Sequence, residues 1–152
     1  MNHGRIQQIG SPEEIYENPK NRFVAAFVGH TNLFDGQVVE LRGQGSAIVE
    51  CDGMAIPCRP TGDLAKGEKV TVALRYEKVG LATPNQDASQ ASFTGVVADR
   101  TYLGNAARLV TRIADRLTMT ADITDIAQVR GLTVGDTVQL SFLAESAVAV
   151  PD

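Results

Sequence analysis

Four carboxylates, Glu77, Asp115, Asp122 and Asp125, and two tyrosines, Tyr76 and Tyr102, have the chemistry to hold an organic cation. An ammonium group binds between carboxylates and over the face of an aromatic ring, so these side chains form a candidate site for a polyamine-like ligand. A solvated acidic surface accounts for the same carboxylates in a chain whose net charge is −4. Arg100, Arg108, Arg112 and Arg116 recur along one stretch and suit an anion site or a contact between two copies. Alternation on a solvated hairpin explains them without a ligand. The residues carried forward as a ligand or interface site are Tyr76, Glu77, Tyr102 and Arg108.

Other reactive side chains offer less. Cys51 and Cys58 flank Asp52-Gly53 with six residues between them, too wide for a CxxC clip. No histidine or second cysteine pair completes a tetrahedral zinc set, so two free thiols are expected, at least one of them packed in a core. His30 is read as a solvated histidine in a linker, with a pH or ligand role as the sharper alternative. No GxxxxGK[ST] phosphate loop occurs, and Gly43-x-Gly45 lacks the rest of a dinucleotide fingerprint. No catalytic, cofactor-binding or metal residue is assigned.

Composition bounds the function classes. The 152 residues suffice for one ordinary domain or two small ones, and 43% hydrophobic with 21% charged residues fits a globular core. No apolar run of about 18 residues is present, and no secretory signal opens the chain. An acidic balance, no Trp and 5% aromatic residues argue against a basic groove with stacking rings for nucleic acid. Two cysteines are too few for a disulfide framework, which suits a reducing, cytoplasmic setting.

The elements that must position these groups begin with two helix signals. Ser11, Pro12 and Glu14 make a capping box with Pro at the first helical position. After Pro19, the spacing of Phe23, Val24, Phe27 and Val28 predicts a second short helix, stopped at Gly29. From Phe34 onward short strands dominate: 34–41, 46–51, 54–58 and 69–75, with Gly43-Gln44-Gly45 and Asp52-Gly53 as turns. Val70, Val72 and Leu74 share one face of the last of these. A turn at Thr83-Pro84-Asn85 and a small, polar stretch over 84–91 read as an exposed linker. A long hairpin then turns at Gly104-Asn105 into 107–113, followed by a strand with Leu117 and Met119.

The second half repeats the first. Residues 93–99 echo 34–40, setting Gly95 against Gly36. Residues 134–142 echo 66–74, setting Val138, Leu140 and Phe142 against Val70, Val72 and Leu74. The expected fold is mainly β, with two OB-like β-barrel units behind a short helical N-terminal segment. Units of this size make poor lone cores, so they should pack together or exchange strands.

Gly4-x-Ile6-x-Gln8-x-Gly10, Pro12-x-x-x-Tyr16, Pro19 and Phe23-Val24-Ala25-x-Phe27-Val28-Gly29, with Asn32 and Leu33, resemble the end of the ATPase domain of ABC-importer ATP-binding subunits. Asn32-Leu33-Phe34-x-Gly36 is most similar to the polyamine (spermidine/putrescine) importers, and ferric-iron and sulfate importers share much of it. Arg75-Tyr76-Glu77-Lys78-Val79, Tyr102-Leu103-Gly104 and the 135–142 strand resemble the transport-associated OB-like (TOBE) regulatory domain of the same subunits. One departure stands out: the family carries Pro where this chain has Tyr76, which removes a φ restraint and restores a backbone donor.

The resemblance implies three regions: 1–30 as the tail of the ATPase domain, 31–83 as the first OB-like unit and 84–152 as the second. It implies a regulatory and dimer-forming domain coupling ATP hydrolysis to solute uptake, with residues 30–36 carrying the coupling. ATP and Mg would bind in the parent ATPase domain and no cofactor in this chain, which alone should not hydrolyse ATP. Implied partners are a second copy, membrane permease subunits and a small-molecule effector, at the inner face of the cell membrane; nucleic acid is not among them. His3 is then a surface residue, since the family's phosphate-sensing histidine lies upstream. Phe23, Phe27 and Val28 become core of the ATPase domain, and the two helices should be short and loosely held without it. The alternative is a free-standing protein binding an oxyanion or a polyamine.

Overall fold

The capping box forms as the sequence requires. Ser11 Oγ accepts from the Glu14 N–H at 3.2 Å, and the Glu14 carboxylate accepts from the Ser11 N–H at 3.3 Å. This opens α1 (Pro12–Glu17); Asn21 caps α2 (Arg22–Phe27) by accepting from the Val24 N–H at 3.0 Å. Gly29 follows with φ +73°, a backbone that glycine adopts without strain. The structure, a computed structural model, describes residues 2–43, 45–82 and 90–151. Gln44 of the expected 43–45 turn, the Thr83-Pro84-Asn85 turn and residues 84–89 of the linker lie outside the described residues.

Strands then build two sheets. β1 (Thr31–Arg42), β2 (Ser46–Cys51), β3 (Met54–Pro60) and β4 (Lys69–Arg75) form one, and β5 (Gly80–Leu81) follows a 3-10 turn at Tyr76–Lys78. β6 (Gln90–Tyr102), β7 (Ala107–Ala114), β8 (Leu117–Ile123) and β9 (Thr137–Leu143) form the other, and β10 (Ala147–Pro151) follows a 3-10 turn at Ala144–Ser146. The turn between β2 and β3 holds Asp52 and Gly53 at φ +49° and +81°, matching its Asp-Gly sequence.

Each sheet takes its last strand from the other half. The first closes as a barrel in the order β1-β2-β3-β10-β4, with β10 parallel to β3 and antiparallel to β4. The second runs β5-β9-β6-β7-β8 and curls without closing. The fold is mainly β as the pattern requires, but only the first unit is a closed barrel, because β5 is two residues long and cannot zip to β8. The units are interleaved, and one continuous buried cluster runs from Phe34, Val49 and Ile56 to Leu109, Met119 and Leu140.

The internal repeat is visible in the backbone. A bulge follows Val38 in β1 and Val97 in β6. The Val38 N–H donates to the Glu68 carbonyl at 3.0 Å and its carbonyl accepts from Gly67 at 2.7 Å; Val97 makes the same pair with Asp136 and Gly135, both at 2.9 Å. Gly36 and Gly95 sit where strands cross too closely for a side chain. A Cβ on Gly36 would lie 2.2 Å from the Glu50 carbonyl oxygen, and one on Gly95 2.5 Å from the Thr111 methyl.

Candidate functional site

β4 is the strand around which the candidate residues gather. Its alternation predicts one buried face, yet every residue from Val70 to Arg75 is buried. Val70, Val72 and Leu74 fill the core, while the opposite face meets the helical segment. Arg75 ends the strand only 6% exposed. A guanidinium in that position must be hydrogen-bonded, because burying an unpaired charge costs several kcal/mol. Arg75 donates to the carbonyls of Tyr16 (3.1 Å), Ala25 (3.2 Å) and Val28, and to the Thr31 hydroxyl. Its Cζ lies 4.4 Å from the Tyr16 ring centre. Burial pulls the Arg75 pKa down, opposed by Tyr16, Glu77 and Glu17.

The carbonyls it collects are helix-end groups, which have no partner within the helix. Arg59, on β3, adds a second anchor, donating to the Glu17 carbonyl at 2.9 Å and to Asn18 Oδ1 at 2.8 Å. The two six-residue helices are thus tied to the barrel by two arginines, contrary to the loose hold expected of them. Beside Arg75, the Tyr16 hydroxyl donates to the Glu77 carboxylate. Burial first, then this bond and the Glu77 charge, push the Tyr16 pKa up to about 12.

Tyr76 follows directly. Its backbone N–H, the donor that a proline would lack, donates to the His30 carbonyl at 3.1 Å. Its ring stacks on His30 with centroids 5.7 Å apart, and Arg108 lies over it at 5.0 Å. Arg108 in turn makes a bidentate pair with Asp122, at 2.8 and 3.0 Å. The hydrogen bond to Asp122 is the main cause holding the Arg108 pKa above its usual value. A column His30–Tyr76–Arg108–Asp122 results, joining the helix-to-barrel crossing to the second sheet.

Of the residues read from the sequence as one site, Tyr76 and Arg108 meet face to face. Glu77 turns instead to Tyr16. Tyr102 stands apart, half exposed beneath Arg100 at 5.1 Å; it pairs with Ala107, so the period-two pleat sends it to the other face from Arg108. Asp122 is occupied by Arg108, while Asp115 and Asp125 are exposed. Among the described residues no group of histidine, cysteine or carboxylate side chains is arranged to hold a metal. Cys51 and Cys58 are both free and buried, and burial pushes each thiol up to about 12.

Sequence reasoning missed Asn32, Arg59 and the burial of Arg75. Asn32, 6% exposed, acts as a piece of strand: its Nδ2 donates to the Thr120 carbonyl and its Oδ1 accepts from the Thr120 N–H, both at 2.8 Å. That satisfies the free edge of β8 at Thr120. The one signal available for Arg75 was a charge at the end of an otherwise apolar, alternating strand.

Two open clefts border this region. One of about 310 Å³ lies among Tyr16, Arg59, Arg75, Lys78 and Glu145. The other, apolar and about 370 Å³, lies between the helices and is lined by Ile15, Phe23, Val24 and Phe27. Phe27 is 78% exposed and Ile9 79%. No helix among the described residues is long and apolar enough to cross a membrane.

A family model described as the TOBE domain matches residues 72–150. The chain is 34% identical over 155 aligned residues to the spermidine/putrescine import ATP-binding protein PotA of Nitratidesulfovibrio vulgaris, covering 100% of this chain and 42% of that protein. The protein of the same name from Rubrobacter xylanophilus is 34% identical over 146 residues, 93% of this chain and 37% of that one. The chain therefore spans less than half the length of these relatives. Among solved structures, the molybdate-bound form of the cytoplasmic molybdate-binding protein ModG superposes with a TM-score of 0.68 at 20% identity, over 80% of this chain and 96% of that one. At that identity the likeness shows the fold alone.

Proposed function

The chain belongs to the TOBE-domain family of ABC-importer ATP-binding subunits, most like the spermidine/putrescine importers, and from that premise we propose that it is the regulatory and dimer-forming part of such a subunit. Residues 1–30 are then the C-terminal tail of the ATPase domain, and 31–83 and 84–152 contribute the two interleaved units. ATP and Mg bind in the ATPase domain, which supplies the phosphate loop that this sequence lacks. The regulatory part keeps two subunits together while the ATPase domains close on ATP and drive the permease at the inner face of the membrane. An effector acts here only if it binds the two states with different affinity.

The single observation that carries this reading is the match over the whole chain, helical lead-in included, to a spermidine/putrescine import subunit. The apolar cleft at Phe23 and Phe27 fits it, since such a surface is covered in a working protein. The test is a chimera. The C-terminal part of the Nitratidesulfovibrio vulgaris relative is replaced by this chain, and uptake of labelled spermidine is measured in cells lacking their own importer. Restored uptake supports the proposal; a chimera that binds the permease and hydrolyses ATP without uptake contradicts it. Light scattering of the purified chain at high concentration should give a dimer mass, and a monomer mass counts against dimer formation.

A free-standing binder of an oxyanion or polyamine is the second reading, favoured by the fold shared with a molybdate-binding protein. Titration calorimetry against spermidine, molybdate, sulfate and ferric iron separates the two. Heat with one of them and no uptake by the chimera would support the binder.

A further inference from the structure

The crossing from the helical lead-in to the barrel is the one covalent path between the two parts. A hinge is made of residues free to absorb a change in φ and ψ. The residues on both sides of Gly29 are committed instead. The Val28 carbonyl accepts from Arg75, and so does the Thr31 hydroxyl, so one guanidinium bridges both sides of the crossing. Between them the His30 carbonyl accepts from the Tyr76 N–H and its ring lies on Tyr76. β1 begins at Thr31, already paired with Arg75 on β4, and the Asn32 side chain is bonded to both backbone groups of Thr120. Further back, Gln8 accepts from the Lys20 N–H at 2.9 Å and donates to the Asn18 carbonyl at 3.0 Å, which ties the approach to α1 into the same assembly.

We infer that Arg75 and Tyr76 form a splint that makes residues 7–29 and the first barrel one rigid body, so that the 30–36 crossing transmits motion without bending. Tyr76 is the part of the splint that departs from the family pattern, in which a proline at this position has no N–H to give. Arg108, held by Asp122, backs the Tyr76 ring from the second sheet, so both units share in fixing the crossing. The mechanical consequence rests on the function proposed above: reorientation of an ATPase domain would then carry the barrel with it, and any bending would fall outside 7–36. The splint itself does not depend on that reading.

The test uses the whole chain. Hydrogen exchange is followed at the Ile15, Asn18, Ala25 and Val28 amides, each bonded within its own helix, in the wild type, Arg75→Met and Tyr76→Pro. Arg75→Met should speed exchange at these amides at least about tenfold, because even one charge-assisted hydrogen bond exceeds the energy of a tenfold change. Tyr76→Pro should speed exchange of the Asn32 amide, whose pair with Leu74 is the next hydrogen-bonded pair after His30 and Tyr76, and leave β2 and β3 unchanged. Spin-label distances in an otherwise wild-type chain give a second readout that survives misfolding of either variant. The pair Glu13→Cys with Glu50→Cys should give a distribution as narrow as the barrel-internal pair Glu50→Cys with Lys69→Cys. All three sites are exposed, and the native thiols are buried. A broad distribution for the first pair, or folded variants with unchanged exchange, would overturn the splint. Because neither readout involves ATP or a permease, a negative result leaves the importer reading standing.

Discussion

The two β units share a skeleton and differ in how each is closed. Gly36 and Gly95, the bulges at Val38 and Val97, and the positive-φ Gly67 and Gly135 occupy matching places. In the first unit the fifth strand is β10, whose residues Ala147 to Val150 are all buried. In the second it is β5, two residues long. The edge strands differ accordingly. β3 is zipped to β10 at Arg59 and Pro60, whereas the matching edge, β8, is satisfied at Thr120 by the Asn32 side chain. In the repeat, Pro57 stands where β8 has Thr120, and Ala91 stands where β1 has Asn32. A proline has no N–H to satisfy, so the first unit needs no such side chain. Closure by a strand and closure by one amide are two solutions to the same exposed edge, and the helical lead-in docks on the unit with the stronger one.

The largest effect that separates them is loss of the exchanged strand. Ending the chain after Ser146 removes four buried side chains and exposes the β4 edge, a loss on the order of 5 kcal/mol or more. Since whole domains are stable by about 5–15 kcal/mol, circular dichroism should show no cooperative melt. Leu81→Ser in β5, the counterpart, should cost about 1–2 kcal/mol. A truncated chain that still melts cooperatively would break the comparison.

The crossing glycines come next. Gly36→Ala should cost about 3 kcal/mol and Gly95→Ala about 2 kcal/mol, because each new methyl meets a backbone carbonyl oxygen, at 2.2 Å for Gly36 and at 2.7 Å for Gly95. Denaturant midpoints test the order. Asn32→Ala should cost about 2 kcal/mol by leaving both Thr120 backbone groups unpaired inside the protein; a loss below about 0.5 kcal/mol would mean water serves that edge equally well.

Two smaller effects probe the ends of the molecule. Tyr16 has a folded pKa of about 12, against an ordinary value near 10. The raised value means the neutral phenol is favoured in the fold, so its contribution is intact below pH 10 and is lost as pH rises through 12. Alkaline absorbance titration should show a tyrosine transition near 12 that is absent in Tyr16→Phe. Thr111 is fully buried with its hydroxyl unpaired. Thr111→Val keeps the shape and removes that cost, so it should be neutral or stabilise by up to about 1 kcal/mol.

Much of the fold was legible because its signals are local. The Ser11–Glu14 capping box, the Asp52-Gly53 hairpin and the 36/95 echo each need only neighbours in sequence. The exchange of β5 and β10 was not, because Ala-Val-Ala-Val carries no address saying which sheet it joins. Nor was the burial of Arg75, which depends on helices that arrive some 50 residues earlier in the chain. Of the candidate site, tertiary folding brings Tyr76 and Arg108 together, while one residue of strand register sends Tyr102 to the opposite face. The departure at Tyr76 was visible as a substitution, but its use, the hydrogen bond to His30, emerges only once β4 and the crossing lie side by side.

Reciprocal exchange makes a central claim testable in one measurement: the two units unfold as one. Native-state hydrogen exchange on the Gly95→Ala variant, whose change lies wholly in the second sheet, reads it directly. The account predicts that the slowest amides of β4 and β9 lose the same protection, by the same factor. Loss confined to β9, with β4 as protected as in the wild type, would show two independent units and contradict it.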